Sequence, residues 1–278
     1  MPKYNNVIVF GATGDVGSAV ALQAHQEGAT VSLAMRNPSK PIHKLDSLPF
    51  MKYRADLTHP DTLETAVREA GATAAFIYGI FDGSDYMRLA LRALKGVGIE
   101  FVVFLSSFII LTEIHAVDPS DIVPWEHAQV ENALDEIYGR DSYVTEKYAI
   151  LQGQVNLPNP DATFDFISPD DIGHVAGKIL VNGAKEHIVR LLGPERMTMT
   201  TVIRIVGNVL GKNVQVVKIS REEATAKLEA AGVPTSMVNW HLHNVIDRAG
   251  LYLESPYATI TRDNILSYAQ HPPQKFLD

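Results

Sequence analysis

Residues 6–20, NVIVFGATGDVGSAV, constrain the fold more than any other part of the chain. A short apolar run at 7–10 leads directly into a turn that carries Gly11, Gly14 and Gly17, and a helical pattern follows the turn. A buried strand, a tight turn and the start of a helix gather several unpaired backbone N–H groups at one point, where the helix dipole also favours negative charge. The segment therefore predicts a binding site for the pyrophosphate of a dinucleotide.

The three glycines are expected to have different tasks. Gly11 lets the chain turn away from the strand, Gly14 lets the backbone approach the phosphates, and Gly17 lets the helix pack closely on the strand. The alternative is a glycine turn that only connects a strand to a helix. Under the first interpretation, the residues that contact the dinucleotide at this turn are Gly11, Thr13, Gly14, Asp15, Val16 and Gly17.

Composition excludes several classes of function. The 278 residues suffice for one α/β domain with a smaller lobe, and the net charge of −8 argues against broad nucleic-acid binding. The absence of cysteine excludes disulfides, thiolate metal sites and cysteine nucleophiles. The first residues show no signal-peptide pattern, and no apolar run has the length needed to cross a bilayer. We therefore expect a cytoplasmic protein, with the nucleus as the alternative compartment, that binds neither nucleic acid nor a membrane.

Strand and helix patterns alternate through the first half of the chain, which predicts an α/β fold with a Rossmann-type, doubly wound parallel sheet. The predicted strands are 7–10, 30–34, 51–54, 74–78 and 101–105, and the predicted helices run from a capping box at Thr58 to Gly71 and over 82–97 and 124–138. In the second half we predict strands at 188–192 and 214–219, and helices that start at Ser168 and Ser220 or cover 200–210, 235–251 and 263–268. The predicted division is a nucleotide-binding domain at 1–140 and a smaller C-terminal α/β lobe at 141–278, which returns strands and helices to the first domain.

Basic residues follow the second predicted strand. A protein that selects NAD usually places a carboxylate here for the ribose hydroxyl, whereas Arg or Lys accommodates the 2′-phosphate of NADP. Arg36 and Lys40 therefore favour NADP(H) as the cofactor. The alternative is that Arg36 is only a solvated charge in a loop.

Ligands of open α/β sheets bind at the carboxyl ends of the strands, so the residues that follow the next three strands are further candidates. We expect one pair to flank the adenine, a second pair to contact the linking phosphates and ribose, and a third group to surround the nicotinamide. In that order they are Asp56 and Leu57, Tyr78 and Gly79, and Ser106, Ser107 and Phe108.

Several motifs together resemble the NmrA-like family, whose members are atypical short-chain dehydrogenases/reductases. The motifs are GATGDVG at 11–17, Arg36, Asp56-Leu57, FLSSF at 104–108, WEHAQVEN at 125–132 and SPDDI at 168–172. The resemblance implies an NADP-preferring Rossmann domain and a C-terminal lobe that closes a substrate cleft. The family is divided between reductases of small organic molecules, such as quinones and phenylpropanoids, and redox-sensing regulators that bind the dinucleotide without turnover.

The chain departs from the usual catalytic pattern of this superfamily. Ordinary short-chain reductases carry Tyr-x-x-x-Lys on one helix, where the lysine lowers the pKa of the tyrosine that donates the proton. Here the lysine position falls at His127, since Glu131 follows it four residues later as in the family pattern, and the tyrosine position is Val123. We therefore regard His127 and Ser107 as the catalytic candidates, with His127 also able to contact the cofactor ribose. The alternative for His127 is a polar residue on a helix face.

A literal Tyr-x-x-x-Lys occurs elsewhere, at Tyr143 and Lys147. It lies where the sixth strand is expected, and in a strand the two side chains need not meet as they do on a helix. The pair remains the rival catalytic site. The Arg-Pro loop that usually follows this strand in the family is also missing after Val144, which indicates either a shorter loop and a more open nicotinamide site or residues absent from the chain.

These features favour an NADP(H)-dependent oxidoreductase that acts on a small organic substrate, with the proton supplied by His127, water or the substrate itself. The alternatives are an NADP-sensing regulator read by a partner protein and a non-redox enzyme that uses NADP as a structural element. Glu113, His115 and Asp118 are placed to line the substrate cleft. His241 and His243 are two residues apart and point to different helix faces, so we predict no metal site.

Overall fold

A seven-stranded sheet forms the centre of the molecule, and every pair of neighbouring strands in it is parallel. The computed structural model describes residues 2–81, 83–107, 110, 112–148, 156–209, 211, 214–247 and 263–275. Its strands are β1 (Asn6–Phe10), β2 (Thr30–Met35), β3 (Met51–Arg54), β4 (Ala74–Tyr78), β5 (Phe101–Ser107), β6 (Tyr143–Tyr148), β7 (Asn156–Leu157), β8 (Thr163–Asp165), β9 (Ile188–Arg190), β10 (Arg196–Thr198) and β11 (Val217–Lys218). The order across the large sheet is β3-β2-β1-β4-β5-β6-β9. The predicted doubly wound parallel sheet is thus confirmed.

Helices cover both faces of this sheet. They are α1 (Asp15–Gln26), α2 (Leu63–Ala70), α3 (Arg88–Gly96), α4 (Ile122–Tyr138), α5 (Pro169–Asn182), α6 (Met199–Val209), α7 (Arg221–Ala230), α8 (Thr235–Trp240) and α9 (Asn264–Ala269). Short 3-10 turns occur at Pro60–Thr62, Ile114–Ala116 and Arg140–Ser142, and α8 continues as a π-helix over His241–Asp247. Among the described helices, none combines the length and the apolar character that crossing a membrane requires.

Side chains of β1 alternate between the two faces of the sheet. Val7 and Val9 pack in a core with α1, α5 and α9, whereas Ile8 and Phe10 pack in a second core with α2, α3 and α4. All four side chains are at most 3% exposed. A strand covered on both faces reads as an uninterrupted apolar run, which explains why the sequence located β1 so clearly.

The helices α1 and α5 lie unusually close. A Cβ atom added at Gly173 would lie 2.2 Å from the Cβ of Ala19, and one added at Gly177 would lie 2.6 Å from the Cβ of Gln23. Both contacts advance in the same direction, so the two helices run parallel and their amino ends lie on the same side of the sheet. Small residues on α5 permit this approach, and they bring an element from the second half of the chain against the helix that follows the glycine turn.

The rest of the second half forms a small lobe. Within it, β8 pairs antiparallel with β10, and β7 pairs parallel with β11. Helix α6 packs on the first pair through Met199 and Ile203, and α7 and α8 share a separate apolar cluster around Val238 and Leu242. Strands β6 and β9 and helix α5 belong instead to the large sheet and its helical layers.

Two predicted helix starts in the first half are wrong. The expected capping box at Thr58 does not form, because the Thr58 hydroxyl donates to the Asp56 carboxylate at 2.9 Å and a 3-10 turn precedes α2. The helix predicted at 82–97 begins only at Arg88. Tyr86 and Met87 have φ of 49° and 63°, left-handed values that no helix continues through.

Other boundaries differ to a smaller degree. The strands predicted at 188–192 and 214–219 shrink to β9 and β11, and the helix predicted at 235–251 changes to π geometry after Trp240, with residues 248–251 outside the described part. Two helix starts predicted from capping residues are confirmed. The Ser168 hydroxyl accepts the Asp171 N–H at 2.9 Å, and Ser220 and Glu223 form a complete capping box.

Candidate functional site

The glycine turn presents open backbone N–H groups at the start of α1. Gly11 has φ of +74°, and the Gly14 N–H donates to the Gly11 carbonyl at 2.9 Å, which closes the turn. Gly14 caps α1 with no side-chain hydrogen bond, and Thr13, Gly14 and Asp15 are exposed. The first N–H groups of a helix have no partner within it, so this exposed helix start favours an anion.

Gly14 and Gly17 differ in the space around them. A Cβ added at Gly17 would lie 2.3 Å from the Gly11 carbonyl oxygen, a clash with backbone that side-chain rotation cannot relieve. A Cβ added at Gly14 would lie 3.4 Å from that same oxygen, an ordinary contact. The protein itself therefore requires a glycine at 17 for packing, whereas a need for glycine at 14 would come from a ligand.

Three charged or polar side chains meet beside this turn, at the carboxyl ends of β2, β3 and β4. Partial burial alone would raise the pKa of Asp56, but two hydrogen bonds from Thr58 and the charges of His59 and Arg36 outweigh it and hold that pKa below its usual value. Burial raises the pKa of Tyr78, while the charge of Arg36 acts in the opposite direction. Arg36 itself is exposed. The structure thus brings Arg36, Asp56 and Tyr78 into one electrostatic group.

The remaining candidates of this region are placed differently. Leu57 is buried in the core with α2 and α3, and Lys40 is exposed in the loop after β2. Lys44, which sequence reasoning did not single out, reaches Asp15 at the start of α1 with Nζ 3.3 Å from the carboxylate. Lys44 and Asp15 are 29 residues apart in the sequence, so no local motif indicated this contact.

The end of β4 faces α4 through an aromatic contact. A Cβ added at Gly79 would lie 2.3 Å from the Phe81 ring, and the centroid of that ring is 4.5 Å from the centroid of the His127 ring. His127 is half-buried, and its Nδ1 lies 2.9 Å from the Val123 carbonyl oxygen one turn earlier. With the proton on Nδ1 donated to that carbonyl, Nε2 is the basic nitrogen of the neutral ring.

A buried polar pair joins the end of β5 to α4. The Ser106 hydroxyl donates to Glu131 Oε1 at 2.6 Å, and Glu131 is 0% exposed. Burial lowers the pKa of Arg190 on β9, and the negative charges of Glu131 and Glu113 counter that effect. The Ser106 side chain is therefore buried and bonded inside the protein, while Ser107 is half-buried at the strand end. Phe108 lies outside the described residues.

Tyr143 lies at the opposite end of the sheet from these groups. It pairs in register with Val102, whereas Lys147 pairs with Ser106, so four strand residues, about 13 Å, separate the two backbone positions. Tyr143 is 1% exposed, and its hydroxyl donates to the Asp135 carboxylate. Burial, followed by the contact with Asp135, raises the pKa of this phenol and keeps it protonated. The structure does not bring Tyr143 to Ser107 and His127.

The segment after Val144 is only partly described. β6 is a continuous strand from Tyr143 to Tyr148, which extends past Val144 without interruption. The shortened loop was predicted between Val144 and Ala149, and residues 149–155 lie outside the described part.

The loop after β5 and the small lobe both contact α4 near His127. Ile114 and Val117 pack on Ala128, and their neighbours in the loop, Glu113, His115 and Asp118, are exposed. From the small lobe, the Trp240 indole N–H donates to Asp121 at the start of α4 at 2.8 Å. Asp121 and Trp240 are 119 residues apart, and no sequence pattern connected them.

The family is decided by a match that extends over most of the chain. The model described as the NmrA-like family matches residues 3–255. The chain belongs to the NmrA-like family. The resemblance drawn from the motifs is therefore confirmed.

Two curated relatives agree with membership of the NmrA-like family. The "nitrogen metabolite regulation-like protein bik4" of Gibberella fujikuroi is 34% identical over 293 aligned residues, which cover 92% of this chain and 90% of that protein. The "uncharacterized oxidoreductase YesF" of Bacillus subtilis is 26% identical over 250 residues, which cover 86% of this chain and 83% of that protein. The names of these relatives refer to regulation and to oxidoreduction.

The fold has a similar solved structure. The NADPH-dependent quinone oxidoreductase QOR2 of Escherichia coli, solved in complex with NADPH, superimposes with a TM-score of 0.73. The match covers 97% of this chain and 96% of that chain at 17% identity, a level at which the likeness concerns the fold.

Proposed function

We propose that this NmrA-like protein binds NADP(H) at the glycine turn and reduces a small organic molecule. The single observation that carries the proposal is the exposed, uncapped start of α1 at Gly14, beside the group of Arg36, Asp56 and Tyr78. The start of α1 suits a pyrophosphate, and Arg36, which follows the neighbouring strand β2, suits a 2′-phosphate. The oxidoreductase name of a Bacillus subtilis relative and the NADPH complex of the Escherichia coli reductase agree with it.

The roles of the residues follow from their positions at the carboxyl ends of the strands. The backbone N–H groups of Asp15 and Val16 at the start of α1 bind the pyrophosphate, and Arg36 binds the 2′-phosphate. Asp56 flanks the adenine, and Tyr78 at the end of β4 contacts the linking phosphates and ribose. Bound NADPH supplies the hydride, and Ser107 and His127 stand on the two elements, β5 and α4, that flank the expected nicotinamide position.

Reduction of a quinone or enone requires a proton as well as a hydride. His127 in its protonated form donates from Nε2, while its Nδ1–H remains bound to the Val123 carbonyl. Ser107 orients the substrate oxygen. Val123 occupies the position of the usual tyrosine on α4, so this position carries no phenol that could donate the proton. Besides His127, water or the substrate itself is the other source of the proton.

A second candidate function is an NADP-sensing regulator without turnover. The name of the Gibberella fujikuroi relative refers to regulation, and the usual Tyr-x-x-x-Lys pair is missing from α4. In this alternative, cofactor binding sets the contact between the small lobe and α4, which includes the hydrogen bond from Trp240 to Asp121. A non-redox enzyme that uses NADP structurally is the third alternative.

The test separates binding from turnover. Titration calorimetry with NADPH and NADH measures the preference, and loss of NADPH absorbance with quinones, enones and imines measures reduction. We expect tighter binding of NADPH and oxidation by at least one substrate class. Arg36→Ala should reduce the preference about tenfold or more, whereas Arg68→Ala, an exposed arginine paired with Glu64 on α2, serves as the matched control. Equal affinity for NADH would contradict the choice of cofactor, and binding without oxidation would favour the regulator.

A further inference from the structure

A carboxylate and two histidines meet where the C-terminal tail crosses the start of α5. The residues are Asp171 and His174 on α5 and His271 in the tail. One ligand atom from each lies within 4.8 Å of the other two. None of the three belongs to the proposed cofactor site. His271 is 97 residues from His174 in the sequence, so no local motif indicated the cluster.

Asp171 is the first unusual member of this cluster. Its side chain is 0% exposed, and one carboxylate oxygen, Oδ2, accepts the Gln274 backbone N–H at 2.8 Å. The other oxygen, Oδ1, is buried without a hydrogen-bond partner among the described residues, and the His271 Nδ1 lies 3.8 Å from it, beyond hydrogen-bond distance. Buried carboxylate oxygens are normally paired, because leaving one without a partner costs free energy. Oδ1 therefore needs a cation or a donor.

His174 and His271 point ring nitrogens at one another. The His174 Nδ1 lies 2.9 Å from the His271 Nε2, and the His271 Nδ1 lies 2.8 Å from the Pro272 carbonyl oxygen. A carbonyl only accepts, so the His271 proton belongs on Nδ1 and its Nε2 carries a lone pair. A backbone carbonyl that fixes the far nitrogen in this way is the usual partner of a metal-binding histidine.

The tail is held in place independently of the two rings. Ile265 of α9 is 0% exposed in the core with α1 and α5, and the Asn264 side chain donates to the Arg190 carbonyl at 2.5 Å. Gln270 ends α9 with φ of 61°, a left-handed conformation that turns the chain back toward α5. The third ligand is thus brought to the helix by the fold itself.

We propose that Asp171, His174 and His271 bind a zinc ion. The ligands are one carboxylate oxygen of Asp171 and one ring nitrogen each of His174 and His271, a set of two imidazoles and one carboxylate that suits Zn²⁺. Nitrogens bound to one tetrahedral zinc lie about 3.3 Å apart, so the two rings, now at 2.9 Å, separate by a few tenths of an ångström. Zinc binding shifts the His174 proton from Nδ1 to Nε2, and the metal then lies between the rings and pairs the buried oxygen. Both histidines are partly exposed, which leaves the fourth position to water.

Zinc at this place would link the C-terminal tail to α5. Because α5 packs closely on α1 through Gly173, the link reinforces the helical layer next to the glycine turn. A ligand that binds only the folded state also raises the unfolding temperature, by an amount that grows with the logarithm of its concentration divided by its Kd. Binding and unfolding measurements therefore test the site without NADPH or a substrate.

The experiment uses the full chain without a histidine tag, after treatment with a chelator. Calorimetric titration with ZnCl₂ should show one zinc ion per chain, and Co²⁺ should give the visible absorption of a tetrahedral site. His271→Gln and His174→Gln should each weaken zinc binding about tenfold or more. His243→Gln is the matched control, an exposed histidine 3.9 Å from Asp247 on the π-helix, and it should bind zinc as the wild type does.

His271→Gln is the decisive variant, since its side chain is partly exposed and the change leaves the core of α5 untouched. Circular dichroism checks that each variant is folded. Absence of one-to-one zinc binding to the wild type, or unchanged binding in the folded His271→Gln protein, would overturn the proposal. The cluster would then be a hydrogen-bonded pair of histidines beside a buried aspartate.

Discussion

The hydroxyl of Ser106 donates to the Glu131 carboxylate at 2.6 Å inside the protein and thereby joins the end of β5 to the middle of α4. Glu131 lies one helical turn after His127, on the same side of α4. The pair thus sets the position of α4, and with it His127, relative to the strand end that carries Ser107. This relationship assigns different tasks to two neighbouring serines.

Replacement of each serine by alanine should separate these tasks. Ser106→Ala leaves the buried Glu131 carboxylate without one donor, and we expect the free energy of unfolding to fall by about 1–3 kcal/mol. Ser107→Ala should change the unfolding midpoint little and lower kcat/KM of the proposed reduction about tenfold or more. Urea unfolding and steady-state kinetics on both variants provide the measurement. Equal loss of stability in the two variants would contradict the assignment.

The glycine turn offers a second comparison. Gly14→Ala places its methyl group 3.4 Å from the Gly11 carbonyl oxygen and replaces a glycine N-cap, so the free energy of unfolding should fall by less than about 1 kcal/mol while NADPH binds about tenfold more weakly. Gly17→Ala places its methyl group 2.3 Å from the Gly11 carbonyl oxygen, so the free energy of unfolding should fall by about 1–3 kcal/mol. Thermal unfolding without cofactor and calorimetric titration with NADPH measure the two effects. A Gly14→Ala protein as destabilised as Gly17→Ala, with unchanged NADPH affinity, would show that position 14 serves packing rather than a ligand.

Tyr143→Phe tests the rival catalytic pair. The Tyr143 hydroxyl binds Asp135 at the amino end of β6, so its loss should cost about 1 kcal/mol of stability and leave turnover unchanged. His127→Asn, on α4 beside the expected nicotinamide position, should reduce turnover instead. Kinetics of the two variants with the same substrate give the answer. Loss of activity in folded Tyr143→Phe would restore Tyr143 and Lys147 as the catalytic pair.

Asp56 should make stability depend on pH in the acid range. Its pKa is lowered in the folded protein, because the Thr58 hydrogen bonds and the charges of His59 and Arg36 exceed the opposing effect of burial. The ionised form therefore stabilises the fold fully above the unfolded pKa of about 3.9, and this contribution is lost as the pH falls through the lower folded value. We expect the difference in urea midpoint between wild type and Asp56→Asn to stay constant above about pH 5 and to shrink below about pH 4. Asp161→Asn, an exposed aspartate before β8, is the control, and a difference that grows toward acid would contradict the sign.

Local patterns in the sequence determined the strands and turns of the first domain. β3 and β4 begin and end where the alternation of strand and helix patterns predicted, and the glycine turn joins β1 to α1 as expected. The Ser168 and Ser220 caps also form. Such features depend on contacts within a few residues, so their chemistry is complete in the local sequence. The family resemblance needed no more than these motifs.

The tertiary structure decided which distant residues meet. The pairing register of β5 and β6 places Tyr143 beside Val102, a neighbour that its Tyr-x-x-x-Lys pattern does not reveal. Tyr86 and Met87 adopt left-handed conformations just before α3, which the side-chain pattern of this segment does not reveal.

The same holds for the groups with chemical roles. Arg36, Asp56 and Tyr78 come together because parallel strands end at one edge of the sheet, and His174 meets His271 because α9 packs on α5 across 97 residues of sequence. Burial and electrostatic interactions depend on which residues are close in space and not on how close they are in the sequence. The sequence alone therefore determined the glycine turn at which we propose that an anion binds, and the fold decided which side chains surround that turn and where the proposed zinc ligands meet.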